Sequence, residues 1–311
     1  MRKETFEFLS GDKGTKIHCV KWMPEEGKPR GILQITHGMV EYIERYEEFA
    51  RFMTEQGFVV AGHDHLGHGA SVVSQEYWGY FAPEHGSDIL VEDMHKLRTM
   101  MQKQYPQLPY FMLAHSMGSF LLRKYLSIHA EGLRGAILMG TGAQPDRAVK
   151  LGKKVCSFIA AFRGWNHRSR LVDRMAFSGN NKRFAQENVT NSWLTKDRAI
   201  VDAYNQEPRC SFKFTLNGFY NLFDTIEYVN QPEHIQAIPK ELPIFFVSGE
   251  DDPVGDYGAG VKAVYASYEK AGMEDITWKL YKGDRHEILN ETDKQTVYED
   301  ICAWIQVRME S

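Results

Sequence analysis

No apolar run in this chain approaches the roughly 20 residues that a membrane-spanning helix requires. Cysteine is scarce as well: Cys19, Cys156, Cys210 and Cys302 are the only four, they lie far apart, and none forms a C-x-x-C pair. That spacing argues against a structural zinc ribbon and a dense disulfide framework, and it suits a reducing compartment. Excess positive charge is missing: the net charge of −4 gives no overall electrostatic reason to bind nucleic acid. The opening stretch MRKETFEFLSGDKGTKIHC has no apolar core of the kind a secretory signal carries. The expectation is a cytoplasmic protein with no nucleic-acid partner. What is present is a globular composition, 43% apolar and 25% charged over 311 residues, enough for one large α/β core with room for an insertion.

Hydrophobic periodicity divides the chain into alternating strands and helices. ETFEFLSGDKGTKIHCVKWMP alternates apolar and polar residues about a turn at residues 11–14, which predicts an antiparallel hairpin. RGILQITHG reads as a buried strand. Tyr46, Phe49, Ala50 and Met53 then recur at helical spacing, predicting an amphipathic helix that stops near Gly57. After the strand FVVAG, Ser87 is placed to cap a helix that runs to about Tyr105 and ends at Pro106. YFMLAHS, a helix over 117–130 and RGAILMG follow. Near the end come PIFFVSG, a helix over 261–270, ITWKLYKG and a last helix over 293–309, with Thr292 and Gln295 at capping-box spacing. The alternation predicts an α/β class with a mostly parallel sheet and helices on both faces. Residues 142–238 break the rhythm with helical segments and many aromatics, among them Phe158, Phe162, Trp165, Phe177, Trp193, Phe212, Phe219 and Phe223. The expected division is a core of 1–141 and 239–311 with a helical cap of 142–238, since a structureless loop of that length is improbable.

Sheets of this kind place functional groups beyond the carboxyl ends of their strands, and four such ends carry suggestive residues. In LAHSMGS, Ser116 lies where a buried strand turns into a helix, flanked by the small residues Ala114 and Gly118. A sharp turn of that kind lifts a hydroxyl out of the sheet and needs small neighbours because strand and helix crowd together. A hydroxyl is a weak nucleophile alone and needs a base and an orienting acid. VSGEDDPVG supplies Asp251 and Asp252 after the next core strand, and YKGDRHEILNE supplies His286 after the last. Asp252 is favoured because it directly precedes Pro253 and Val254, leaving Asp251 as an exposed turn residue. Asp284 lies nearer His286 in sequence, but sequence proximity does not aim a carboxylate at an imidazole. The fourth end, ITHGMVEYIERY, is placed to stabilise a developing oxyanion. The main-chain N–H groups of Met39, in that loop, and Met117, after the serine, are the expected donors.

These four segments resemble the serine α/β-hydrolases of the monoacylglycerol lipase and lysophospholipase type, within the serine aminopeptidase S33-type hydrolases. The matching pieces are HGMVEYIERY, DHLGHGAS, AHSMGS, GEDDPV and GDRHE. The resemblance implies an α/β-hydrolase fold with an eight-stranded sheet and a helical lid. It implies a triad of Ser116, His286 and Asp252 with Met39 and Met117 as oxyanion donors, acting through an acyl-enzyme. The implied substrates are monoacylglycerols, lysophospholipids or related acyl esters, with no cofactor and no metal, and at most transient contact of the cap with a membrane surface. Ala114 stands where the family usually has glycine, and Tyr42 where the nearest lipases often have histidine.

Other readings stay open at this level. His63, Asp64, His65 and His68 in GHDHLGHG are metal-ligating types, although the H-x-H-x-D-H and H-E-x-x-H spacings of common hydrolytic metal sites are missing. An aminopeptidase on the same core needs a carboxylate for the substrate amine, for which Glu207, Glu227 and Glu233 are available. A non-enzymatic binding protein on this fold is a third possibility. Arg163, Arg168, Arg170 and Arg174 cluster in the insertion and suit a phosphate head group or an anionic lipid surface.

Overall fold

A computed structural model describes residues 1–309. β1 (Arg2–Leu9) and β2 (Lys16–Met23) form the expected hairpin, with Asp12 accepting the N–H groups of Gly14 and Thr15 at the turn. The remaining strands are β3 (Gly31–Thr36), β4 (Phe58–His63), β5 (Tyr110–His115), β6 (Gly135–Met139), β7 (Ile244–Gly249) and β8 (Ile276–Tyr281). They make one sheet of eight in the order β1-β2-β4-β3-β5-β6-β7-β8, parallel from β4 to β8. Every residue of β3 to β7 is buried, which is why these strands read as continuous apolar runs: helices cover both faces. From β3 the chain first goes outward to β4, then returns past β3 to β5. The carboxyl ends of β3 and β5 therefore flank the topological switch point, where open α/β sheets gather their ligands.

The helices are α1 (Glu47–Glu55), α2 (Gly86–Gln104), α3 (Met117–His129), α4 (Asp146–Arg163), α5 (Arg170–Phe177), α6 (Arg198–Gln206), α7 (Leu216–Val229), α8 (Pro232–Gln236), α9 (Ala259–Lys270) and α10 (Lys294–Met309). On α1 the stripe of Phe49, Ala50 and Met53 is buried with Tyr298 and Ile301 of α10 on one face of the sheet. Burial of each large side chain there contributes about 2 kcal/mol. The other face packs Leu90, Met94 and Leu97 of α2 and Leu121, Leu122 and Tyr125 of α3. Between β6 and β7 the described residues are helical, α4 to α8 with short 3-10 turns and no strand.

Two local expectations fail for the same reason. Ser87 does not cap α2: His85 precedes the helix in a left-handed conformation, and the Ser87 N–H is capped by Asn221 Oδ1 of α7 at 3.0 Å. The Ser87 hydroxyl instead donates to Asp224 at 2.8 Å and accepts from Lys124 at 3.0 Å. At α10, Gln295 directs its amide forward to Glu299 at 2.8 Å rather than back to Thr292. In each case the side chain is drawn to another partner instead. Among the described residues no helix is long and apolar enough to cross a membrane.

Beneath the switch point lie four fully buried histidines, His37, His63, His65 and His68. They do not converge as metal ligands. Asp64 is spent on the N–H groups of Ile43 and Ala70, both at 2.8 Å, and His65 N donates to His37 Nε2 at 2.9 Å. The convergent group of candidate ligands among the described residues is instead Asp284, Glu291 and Asp293. Burial pushes all four imidazoles below their usual range, His63 to about 3, and repulsion from His37 when charged adds to it at His63, His65 and His68.

Two predictions follow from packing and charge. At Gly118 in α3, a Cβ would stand 2.4 Å from Thr36 O and 2.5 Å from His37 O, both backbone atoms. Gly118→Ala should therefore lower unfolding free energy by about 1–3 kcal/mol in denaturant titration. The histidines stay neutral when folded but titrate near 6.5 when unfolded, so the unfolded chain binds more protons below that pH. The stability they contribute is full above about 6.5 and falls as pH drops toward their folded values. Replacing one, as in His63→Phe, should flatten the loss between about pH 6.5 and 4.5 by about 1 kcal/mol per pH unit. Parallel unfolding curves for the variant and the parent would sink this assignment.

Candidate active site

Ser116 joins β5 to α3 with φ 53° and ψ −121°, a backbone state that costs a non-glycine residue energy and is tolerated only where its surroundings enforce it. Its N–H donates to Met139 O on β6 at 2.9 Å, and its carbonyl accepts from Ser119 Oγ at 2.6 Å. Ala114, two residues earlier, is a fully buried strand residue paired with Thr36, so its methyl group is accommodated within the sheet.

The Ser116 hydroxyl lies 2.8 Å from His286 Nε2, and His286 Nδ1 lies 2.9 Å from Asp252 Oδ1. Asp252, fully buried in the turn after β7, also accepts from Val254 N at 2.9 Å and Ser248 Oγ at 3.0 Å. Asp251 points elsewhere and pairs with Arg183 at 3.0 Å. Asp284 pairs with Lys196 at 2.6 Å; burial pushes its carboxyl up to about 6 against that cation. Met39 and Met117 stand beside Ser116 on the wall of the same cavity. Met117 is the first residue of α3, so its N–H has no intrahelical acceptor.

Behind these groups is a charge network for which sequence reasoning assigned no roles. Glu41 accepts from Gly38 N, Tyr46 OH, Arg45 and His115 Nδ1, and Arg45 forks onto Glu287 at 2.8 and 2.7 Å. His115 Nε2 faces His286 O at 3.1 Å, so both of its ring nitrogens meet acceptors. Burial opposes charge on His115, but the hydrogen bond and charge of Glu41 outweigh it and raise the imidazole's pKa. Burial likewise disfavours the Glu41 carboxylate, yet His115 and Arg45 bring it below the usual range. The spacing of Glu41, Arg45 and Tyr46 was visible in HGMVEYIERY; their partnership with Glu287, 242 residues from Arg45, was not.

The cavity over Ser116 measures about 1270 Å³. One part of its wall is apolar, with Phe120, Val149, Leu151, Leu222, Phe223 and Ile226; another is polar, with Asn180, Asn188, Thr190 and Asn205. Of the insertion's aromatics, Phe177, Trp193, Phe212 and Phe223 line it, while Phe219 is fully buried and Phe158, Phe162 and Trp165 are exposed. Tyr42 does not line it: its ring lies under the Arg209 guanidinium at 3.6 Å. Glu207 pairs with Arg209 and Glu227 with Lys153, and neither they nor Glu233 line the cavity. Arg168 is spent on the carbonyls of Trp78, Lys213 and Glu76.

Comparison with known proteins agrees with this architecture. The sequence profile of the family described as serine aminopeptidase, S33 matches residues 27–293. The monoglyceride lipase of Homo sapiens is 26% identical, across 95% of this chain and 88% of that protein. The monoacylglycerol lipase of Mycolicibacterium smegmatis is 25% identical, across 96% and 95%. Among solved structures, a highly thermostable carboxyl esterase from Bacillus coagulans in complex with glycerol has a TM-score of 0.92 and 33% identity over 99% of both chains. The chain belongs to the serine aminopeptidase S33 family, as a lipase-like carboxylic ester hydrolase on the α/β-hydrolase fold.

Proposed function

We propose that this enzyme hydrolyses acyl esters of the monoacylglycerol or lysophospholipid class through an acyl-enzyme on Ser116. The observation that carries the reading is the unbroken path from Asp252 Oδ1 to His286 at 2.9 Å and from His286 to Ser116 Oγ at 2.8 Å. His286 Nε2 takes the hydroxyl proton as Ser116 Oγ bonds to the ester carbonyl carbon, and the resulting imidazolium faces the buried Asp252 carboxylate. The carbonyl oxygen, now negative, is met by the N–H groups of Met39 and Met117, the latter at a helix N-terminus whose dipole also favours negative charge. His286 then gives its proton to the leaving alcohol as the C–O bond breaks. Water attacks the acyl group by the same proton transfers, releasing the acid and restoring Ser116.

A long acyl group is supported by the size of the cavity, about 1270 Å³, and by its apolar wall. The polar wall then faces the alcohol. The insertion over residues 142–238 acts as a cap, and its exposed Leu151, Phe158, Phe162 and Leu171 suit transient contact with a lipid aggregate. The related monoglyceride lipase and carboxyl esterase point the same way. An aminopeptidase is disfavoured because Glu207 and Glu227 are already paired with cations outside the cavity.

Ser116→Ala should lower kcat by about 10⁴-fold or more and abolish labelling by a fluorophosphonate, and Asp252→Asn should cost about 10⁴-fold. In a series of p-nitrophenyl esters assayed beside a monoacylglycerol and an aminoacyl amide, kcat/KM should rise with acyl length and include the monoacylglycerol. Activity confined to the amide would replace this reading with a peptidase one, and a maximum at acetate would reduce the acyl cavity to a small pocket.

A further inference from the structure

The loop that carries His286 is gripped by the insertion as well as by the sheet. Leu194 O accepts from Glu287 N at 2.7 Å, and Trp193 O accepts from His286 N at 3.3 Å, so two consecutive carbonyls of the insertion lie along the loop. The single Thr195 hydroxyl proton is shared between Asn290 O at 3.0 Å and Glu291 Oε2 at 2.9 Å. Glu291, fully buried, also accepts from Lys196 N at 2.9 Å and Arg285 N at 2.7 Å, which ties both segments to one carboxylate. The Lys196 ammonium reaches Asp284 at 2.6 Å and Asp293 at 3.2 Å. Asp284, Glu291 and Asp293 converge closely enough to suggest a cation site, but this ammonium already bridges two of them. Finally, the Trp193 ring lies 4.9 Å from the His286 ring.

From the core, the same loop is held by His115 Nε2 on His286 O at 3.1 Å, Asp251 N on Asp284 O at 2.8 Å and the Asp252 carboxylate. Of these contacts only the Asp252 carboxylate touches the imidazole itself, at Nδ1; the other two hold the backbone at His286 and Asp284. The contacts to residues 193–196 hold the rest of the loop, on both sides of His286 in sequence. We infer that Thr195 and Lys196 are positioning residues for His286, and that the seating of this part of the insertion sets the aim of the imidazole at Ser116. Thr195 and Lys196 do not line the cavity, so replacing either changes turnover through the aim of His286 and not through a contact with substrate. The inference rests on the reading of Ser116 and His286 given above.

The test uses the full-length protein with Thr195→Ala, Thr195→Ser and Lys196→Met. p-Nitrophenyl acetate serves as substrate because its acyl group is too short to report on the apolar wall. Exhaustive labelling with a fluorophosphonate counts intact sites, so that rates are expressed per site. Thr195→Ala and Lys196→Met should lower kcat and the labelling rate about 10- to 100-fold with KM within about two-fold, while Thr195→Ser, which keeps the hydroxyl, stays near the parent. Parent-like kcat in Thr195→Ala overturns the inference, as does a loss seen only in KM, or a Thr195→Ser variant as slow as Thr195→Ala. If Lys196→Met fails to fold, the Thr195 pair decides the question alone. Labelling that persists in Ser116→Ala would overturn the nucleophile reading instead, so the two failures are distinguishable.

Discussion

A hydroxyl and an imidazole 170 residues apart in the chain, and a carboxylate 34 residues from that imidazole, meet within 3 Å of one another in sequence of contact. That meeting is the constraint on which the rest of the structure depends. A parallel sheet meets it economically, because every strand ends on the same edge and the loop after each strand starts from a fixed position. β5 delivers Ser116, β7 delivers Asp252 and the chain after β8 delivers His286. The strained backbone of Ser116 is sustained by the same arrangement: its N–H is held by the neighbouring strand, and α3 departs at once. Gly118 lets that helix pass against the backbone of β3, so the turn at Ser116 and the loop after β3 share one tight contact.

Buried charge is concentrated on the other side of this contact. Glu41, Arg45, Glu287 and His115 are withdrawn from water together, each with several partners. Isolated, any one of them would carry a desolvation cost of several kcal/mol; paired and hydrogen-bonded, the group is tolerated and breaking it is expensive. The network joins the loop after β3 to the loop carrying His286, through Glu41 to His115 to His286 O and through Arg45 to Glu287. It sits close beneath Ser116 and His286 yet leaves Ser116 open to the cavity. In the four buried histidines nearby the balance falls the other way: burial outweighs the attraction of Glu41 for His37 and His68 and keeps the imidazoles below their usual range.

How much was legible in sequence depended on the range of the interaction. Alternation and apolar runs disclosed all eight strands, and small residues about Ser116 disclosed the turn, because both are consequences of local backbone geometry. Asp252 was separable from Asp251 by the proline that follows it, and the structure aims Asp252 at His286 while Asp251 meets Arg183. Tyr42 stands where related lipases often have histidine, and its ring packs under Arg209, a partner 167 residues on, outside the cavity. Ser87 looked like a cap and lost that role to Asn221. Trp193 stood out only as one aromatic among many; nothing local says that its ring meets His286.

The sequence by itself determined the alternating architecture, the order in which serine, aspartate and histidine follow their strands, and the break in rhythm that becomes the helical insertion. These depend on periodicity and on the steric needs of one turn, which neighbouring residues settle among themselves. Only the tertiary structure decided which side chains share the buried charge network, which aromatics face the cavity, and how residues 193–196 come to lie along the loop of His286. Those outcomes depend on the relative placement of elements far apart in the chain. Burial selects partners there by distance in space, and no local pattern records that distance.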